Sequence, residues 1–182
     1  LYVGGEAAGG IHGANRLGGL ALIDSYVFGL RSGIAAALES KSEDAPDRES
    51  GNWRGGLNAL DERVARGGTS MSPEAWRKEV QDLIITNLGQ VRREDRLLEG
   101  LAKLDELESE FDDIEVSGKT DRQRFECLRL TMETRNLICV GRMLGTAALA
   151  RTESRGGHFR LEYPEEDEAF LGNLIIRREG DT

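Results

Sequence analysis

The chain has 182 residues, 38% hydrophobic and 31% charged, and 33 acidic against 24 basic side chains give it a net charge of −9. That length suits one ordinary domain, or a small domain with a piece of another, and the composition is that of a folded chain. The acidic balance excludes nonspecific binding to a nucleic-acid backbone, which takes a basic face, but not binding of a small dianion, for which one or two arginines suffice.

The chain opens on Leu1 rather than methionine, and its first five residues lack the basic n-region of a secretory signal. This reads as a fragment or a processed piece. No uninterrupted apolar run approaches the roughly 20 residues that span a bilayer, so no direct membrane insertion is expected.

Residues 1–39 form the first segment. An apolar run at 1–3 is of strand type, a glycine-rich loop occupies 4–19, and a largely apolar helix follows over about 20–39. Leu22, Ile23, Tyr26, Val27, Leu30 and Ile34 fall on one side of that helix. Residues 40–70 are polar, contain Pro46 and read as an exposed connection with a weak helical stretch at 57–64.

Residues 72–152 are helical. Ser72-Pro73-Glu74 supplies a capping side chain, an N1 proline and an acid at a helix start. A second helix over about 93–113 carries Leu97, Leu101, Leu104, Leu107 and Phe111 at core spacing. Ser117-Gly118 breaks the chain, and Thr120 with Gln123 fits a capping box. The third helix places Phe125, Leu128, Met132, Cys139 and Met143 on one side and Leu130, Leu137 and Leu144 on another. It is therefore expected at the centre of an antiparallel three-helix bundle, buried on two faces. Cys127 and Cys139 lie about 18 Å apart along it, too far for a disulfide, and read as two buried thiols in a reducing compartment. The last segment, 153–182, is polar and turn-rich, with Leu174-Ile175-Ile176 as a short strand in a tail that must dock.

Chemistry concentrates in the loop. It has seven glycines in the sixteen residues 4–19, which lets backbone approach a flat or phosphorylated ligand. Glu6, at a strand end, can accept two hydrogen bonds from a ribose diol. Arg16 is a fixed positive fork suited to a carboxylate. The helix behind begins with free N–H groups and a positive dipole end. The same residues also fit a plain turn with Arg16 in a structural salt bridge.

The order Gly5-Glu6, then His12-Gly13-Ala14-Asn15-Arg16-Leu17-Gly18-Gly19, resembles the FAD- and substrate-contacting segment of the succinate dehydrogenase, fumarate reductase and L-aspartate oxidase flavoproteins. The resemblance implies that Glu6 holds the ribose of FAD, that Arg16 clamps a dicarboxylate, and that Gly19 lies near the substrate. It also implies that the N–H groups of Ala21 and Leu22 approach the flavin pyrimidine edge, with His12 a structural member of the motif. Further matches are Asn87-Leu88-Gly89-Gln90-Val91-Arg92, Arg135-Asn136-Leu137 and Ala150-Arg151-Thr152-Glu153-Ser154-Arg155-Gly156-Gly157-His158-Phe159-Arg160, then Tyr163-Pro164; they resemble the helical C-terminal domain of the same family. Arg155, His158 and Arg160 are expected to pack and dock rather than react.

The resemblance implies a mainly α fold: a three-helix antiparallel bundle (the flavoprotein C-terminal helical domain) preceded by the last strand, loop and helix of an α/β FAD-binding domain. The segments become 1–39, the end of the FAD-binding domain; 40–70, a linker; 71–155, the helical domain; and 156–182, a docking tail. The implied function is part of an FAD-dependent oxidoreductase interconverting succinate and fumarate, or a similar dicarboxylate, by hydride transfer. The alternatives are an L-aspartate oxidase fragment and a non-catalytic helical interaction module.

The family's dinucleotide fingerprint and its capping domain, with the proton-transferring arginine, have no counterpart here. No catalytic or metal-binding residue is therefore assigned, and the chain is not expected to be active alone. The implied partners are the N-terminal FAD-binding and capping portion and an iron–sulfur subunit, in the cytoplasm or peripheral at the inner membrane face. Two departures stand out: Leu20-Ala21 replaces the usual Asn-Ser or Asn-Ala, and Glu6 to His12 is one residue shorter than in many membrane-complex flavoproteins.

Overall fold

A computed structural model of the chain describes residues 1–41, 55, 58–60, 62, 63 and 71–177. They belong to two compact units, Leu1–Asn52 and Trp53–Thr182. Most of the connection expected at 40–70 lies outside the described residues; of the weak helical stretch at 57–64, residues 58–60, 62 and 63 are helical and the rest lie outside them.

In the first unit an extended segment leads into a 3-10 turn, Gly5–Ala8, then the loop, then helix α1, Leu20–Glu39, with the ends anticipated from its apolar run. The extended segment lies along α1. Ser32 Oγ donates to Val3 O at 2.6 Å, and the Tyr2 hydroxyl bonds to the Glu39 carboxylate. A Cβ on Gly4 would sit 2.7 Å from Gly29 N, so glycine is what allows this approach. The strand expected at residues 1–3 is extended but enters no ladder among the described residues. A strand is completed by a neighbour, and the polar partners here are helix side chains.

The apolar side of α1 faces solvent within this unit: Leu22, Tyr26 and Leu30 are all exposed, and Asp24 is the buried residue. In length and composition α1 is apolar enough to cross a membrane, with a mean hydropathy of 1.3 over its best window. The expectation of no such segment is corrected accordingly, because Asp24 and Arg31 interrupt the apolar run without cancelling its mean.

The second unit packs three helices together: α2, Pro73–Leu88; α3, Glu94–Ser109; and α4, Asp121–Ala150. Their starts follow the capping chemistry. Ser72 Oγ accepts from Ala75 N at 3.3 Å, and Thr120 and Gln123 form the reciprocal box ahead of α4. Helix α3 stops short of the expected 113; a 3-10 turn, Phe111–Asp113, follows it and leads to buried Ile114. Trp76, Val80, Leu88, Leu97, Leu104 and Ile138 form the core, and the Trp76 indole N–H donates to Leu107 O at 3.1 Å. Parallel pairing of β1, Val91–Arg92, with β2, Phe159–Arg160, ties the α2–α3 turn to the tail. Leu174-Ile175-Ile176, expected as a strand, is irregular, and Ile175 is exposed.

The faces of α4 differ most from expectation. Thr131, Thr134, Ile138, Gly141, Gly145 and Ala148 are buried, at alternating steps of three and four that trace one face. Phe125, Met143 and Leu144 are exposed, as is Cys139, while Leu128, Leu130, Met132 and Leu137 are half-buried; α4 is thus fully buried on one face rather than two, and of the two cysteines only Cys127 is partly covered. Small residues win because they admit close packing. A Cβ on Gly145 would lie 2.8 Å from Leu101 Cδ2, and one on Gly141 3.1 Å from both Ile84 Cδ1 and Leu104 Cδ1. Thr131 and Thr134 spend their hydroxyls on the carbonyls of Cys127 and Leu130 in the preceding turn.

This arrangement predicts opposite responses on the two faces. Gly145→Leu overpacks the contact and lowers unfolding free energy by about 2 kcal/mol. Met143→Ser, on the exposed face, changes it by no more than about 0.5 kcal/mol. Urea unfolding followed by helix circular dichroism measures both.

Candidate functional site

The glycine-rich loop is built from backbone conformations that side chains resist. Gly5, Gly9, Gly10, Gly13 and Gly19 have φ of 74°, 61°, 79°, 62° and 84°. At Gly9, Gly13, Gly18 and Gly19 an added Cβ would meet nothing within 4 Å, so the loop surface is open. Gly19 is the N-cap of α1 and provides no side-chain cap, so the first N–H groups of the helix lack the usual side-chain acceptor. Leu20 N still reaches Leu17 O at 3.3 Å; Ala21 and Leu22 are the next two positions of that first turn.

Each residue singled out from the sequence lies on this loop and helix start. Glu6 is in the 3-10 turn, exposed, with no hydrogen bond or ion pair among the described residues. Arg16 is exposed, and its guanidinium reaches only Leu17 O, at 3.5 Å. Among the described residues it has no carboxylate partner, so the structural salt bridge left open by the sequence is not formed. Gly19 and Leu22 are exposed and Ala21 is partly covered. Open glycines, unpaired donors and a positive helix end together suit a flat anionic ligand approached by backbone.

One residue of this site was not anticipated. Asp24 on α1 is buried, and its Oδ2 lies 3.4 Å from His12 Nε2. An acid set among the apolar residues of the first half of α1 is the signal that marks it.

The tail carries a second polar cluster of another kind. Glu153 is fully buried. It accepts from Arg155 Nε and Nη2 at 3.0 and 2.9 Å, from Asp167 N at 2.8 Å and from Arg151 Nη1. The Arg155 hydrogen bonds lead in lowering the Glu153 carboxyl to about 2; burial opposes them, and the bonds from Asp167 and Arg151 reinforce them. Arg160, also fully buried, donates through Nη1 to Ala148 O, Leu149 O and Arg151 O at 2.8, 3.2 and 3.4 Å, closing the carbonyl end of α4. His158 accepts from Arg92 at Nδ1 and donates from Nε2 to Arg151 O at 3.1 Å. Burial lowers its pKa, which suits the neutral ring that this pattern requires. Arg155, His158 and Arg160 therefore direct their donors to the protein itself, as a packing role demands.

Between α2 and α3 an open groove of about 390 Å³ is lined by residues including Glu79, Asp82, Asn87, Lys103, Glu106 and Glu110. Among the described residues no group of three or more His, Cys, Asp or Glu side chains is placed to hold a metal ion.

Comparison with known proteins assigns this architecture. Residues 77–182 match the family model described as "Fumarate reductase flavoprotein C-term". An "uncharacterized FAD-dependent oxidoreductase" of Methanocaldococcus jannaschii is 34% identical across 97% of the chain and 31% of that protein. The succinate dehydrogenase flavoprotein of Coxiella burnetii is 30% identical across 99% of the chain and 31% of that protein. A solved structure of Mycobacterium smegmatis Sdh1 in complex with UQ1 is 34% identical, with a TM-score of 0.76 over 90% of this chain and 27% of that one. The chain thus spans about a third of the length of the curated relatives it matches.

The matched stretch includes the Glu153 cluster, whose lowered pKa has a testable consequence. Between an ordinary carboxyl value of 4.5 and the folded value of about 2, the unfolded state binds the proton and the folded state does not. Stability from this group is therefore whole above pH 4.5 and lost as pH falls through about 2. Glu153→Gln lowers stability at neutral pH and flattens its decline across that window, measured by unfolding at a series of pH values.

Proposed function

Because the chain belongs to the succinate dehydrogenase/fumarate reductase flavoprotein family, we propose that it is the carboxy-terminal arm of an FAD-dependent oxidoreductase that interconverts succinate and fumarate, or a close dicarboxylate pair. Arg16 carries this reading: an exposed guanidinium, unpaired among the described residues, four positions before the uncapped start of α1. A planar cationic fork of that kind matches a carboxylate bidentately.

The loop also fits FAD. Its glycines leave room for a flat ring system, Glu6 keeps both carboxylate oxygens for a ribose diol, and the N–H groups of Ala21 and Leu22 meet no side-chain cap. Glu6, Ala21 and Leu22 would hold the cofactor, while Arg16 and Gly19 would meet the substrate. FAD, when bound, supplies the hydride chemistry. The residues of this chain orient one carboxylate of the substrate and place a positive helix end where negative charge collects.

In this reading residues 1–39 complete an FAD-binding domain, 40–70 connect it to the helical domain at 71–155, and 156–182 dock the tail. The apolar surface of α1 is covered by the sheet of the FAD-binding portion, since a helix this apolar belongs in a core. The helical domain faces an iron–sulfur subunit, and the assembly sits in the cytoplasm, peripheral at the inner membrane face.

In the assembled flavoprotein, Arg16→Ala raises KM for succinate or fumarate about 10- to 100-fold, the worth of a charged hydrogen-bond pair. Unchanged KM and kcat would remove Arg16 from the site. The same assay with aspartate, which adds an ammonium group to the two carboxylates, separates an L-aspartate oxidase from a succinate or fumarate enzyme. Glu6→Gln lowers the flavin retained per polypeptide, read from the absorbance ratio of purified protein.

A further inference from the structure

We propose that His12 and Asp24 form a clamp that sets the position of Arg16, making Asp24 a positioning residue for dicarboxylate binding. The inference rests on the reading of Arg16 as a carboxylate ligand and adds to it what holds that arginine in place.

The loop has little else to hold it. Its glycines at 9, 10, 13 and 19 adopt positive φ, conformations that glycine shares with many others in the unfolded chain. Cβ positions at Gly9, Gly13, Gly18 and Gly19 meet no neighbouring atom, so packing does not fix the backbone. Among the described residues, one polar side-chain contact ties the loop to the body of α1: His12 Nε2 to Asp24 Oδ2, at 3.4 Å. The second tie is the backbone bond from Leu20 N to Leu17 O. Arg16 lies between these two anchors, four residues after His12 and one before Leu17. Releasing the first anchor frees the arm that carries the guanidinium.

Asp24 is an expensive way to fill its position. It is only 6% exposed, and its Oδ1 is buried without a hydrogen-bond partner among the described residues. A carboxylate with half its acceptors unmet destabilises a fold, and a leucine in the same apolar helix would not. What the carboxylate adds is a directed charge beneath the loop, aimed at the imidazole that approaches it. His12 is the partly exposed member, with 26% of its side chain accessible against 5% for Asp24. The contact thus runs from the interior of α1 outward to the loop. A shift of about 1 Å in a positioning group costs binding or rate by orders of magnitude when the group it orients is charged.

The test uses the assembled flavoprotein with Asp24→Asn, His12→Gln and the double variant, and Arg16→Ala as reference. Each single variant is expected to raise KM for succinate or fumarate about tenfold while kcat stays within about twofold. The double variant is expected to do no more than the worse single, because both remove the same contact. Malonate binding, titrated by the flavin difference spectrum, should weaken in parallel, at unchanged flavin content and Tm. Unchanged KM and malonate affinity in both single variants, with Arg16→Ala impaired, overturns the clamp and leaves the Arg16 reading standing. If Arg16→Ala is also without effect, that reading has failed and the clamp falls with it. Loss of flavin or of folding in His12→Gln, a partly exposed position, would instead assign the pair to folding and overturn the proposal. If Asp24→Asn alone fails to fold, His12→Gln decides.

Discussion

Glycine at positions 141 and 145 lets α4 lie so close to its neighbours that a single methyl group would press on Ile84 and Leu104 at the first and collide with Leu101 at the second. The rest of the helical unit is arranged around that approach. Apart from Ile138, α4 brings only small residues to that face, and the bulk of the core comes from the other helices, from Leu88, Leu97, Leu104 and Trp76. Dispersion falls steeply with separation, so a thin helix against thick ones gains as much contact as two helices of ordinary side chains meeting halfway. The two buried threonines belong to the same solution: with hydroxyls bonded to their own helix, they present small, outwardly apolar faces.

The arginines separate into two populations by what they touch. Arg151 and Arg155 are held by Glu153 and by carbonyls of the tail, and Arg160 by carbonyls at the end of α4, with its Nη2 buried beside Glu94 at 3.7 Å. They turn polar backbone ends into a closed network in which each buried charge has a partner. Arg16 retains its hydrogen-bonding capacity in a loop with little to pack against. Arginines of the first kind specify structure, and those of the second kind are available to a ligand. Composition alone does not distinguish them, since each stands in a glycine-containing stretch.

Local chemistry was legible in the sequence. The cap at Ser72, the box at Thr120 and the limits of α1 all emerge where the residue types place them, because these features depend on a few neighbouring atoms. The loop residues, too, fall together on one loop and helix start. The burial of α4 was not legible. Its Leu and Met positions form a stronger hydrophobic pattern than its Thr and Gly positions, yet the interface was decided by closeness of approach, which a count of apolar residues does not measure. Asp24 was missed for a related reason: its partner lies across a loop, and periodicity within the helix says nothing about contacts that leave it. The segments at 1–3 and 174–176 have strand-like residues but no ladder, since a strand is a relation between two segments.

The two-residue ladder between β1 and β2 pairs Val91 with Phe159 and Arg92 with Arg160. Everything between those positions, including all of α3 and α4, is enclosed by it. A ribosome making this chain releases the three helices before it releases the residue that caps the carbonyls of the last one. The nascent bundle is therefore sealed only after all three of its helices have emerged. A polypeptide that stops before residue 160 keeps its helices but leaves the end of α4 open to water.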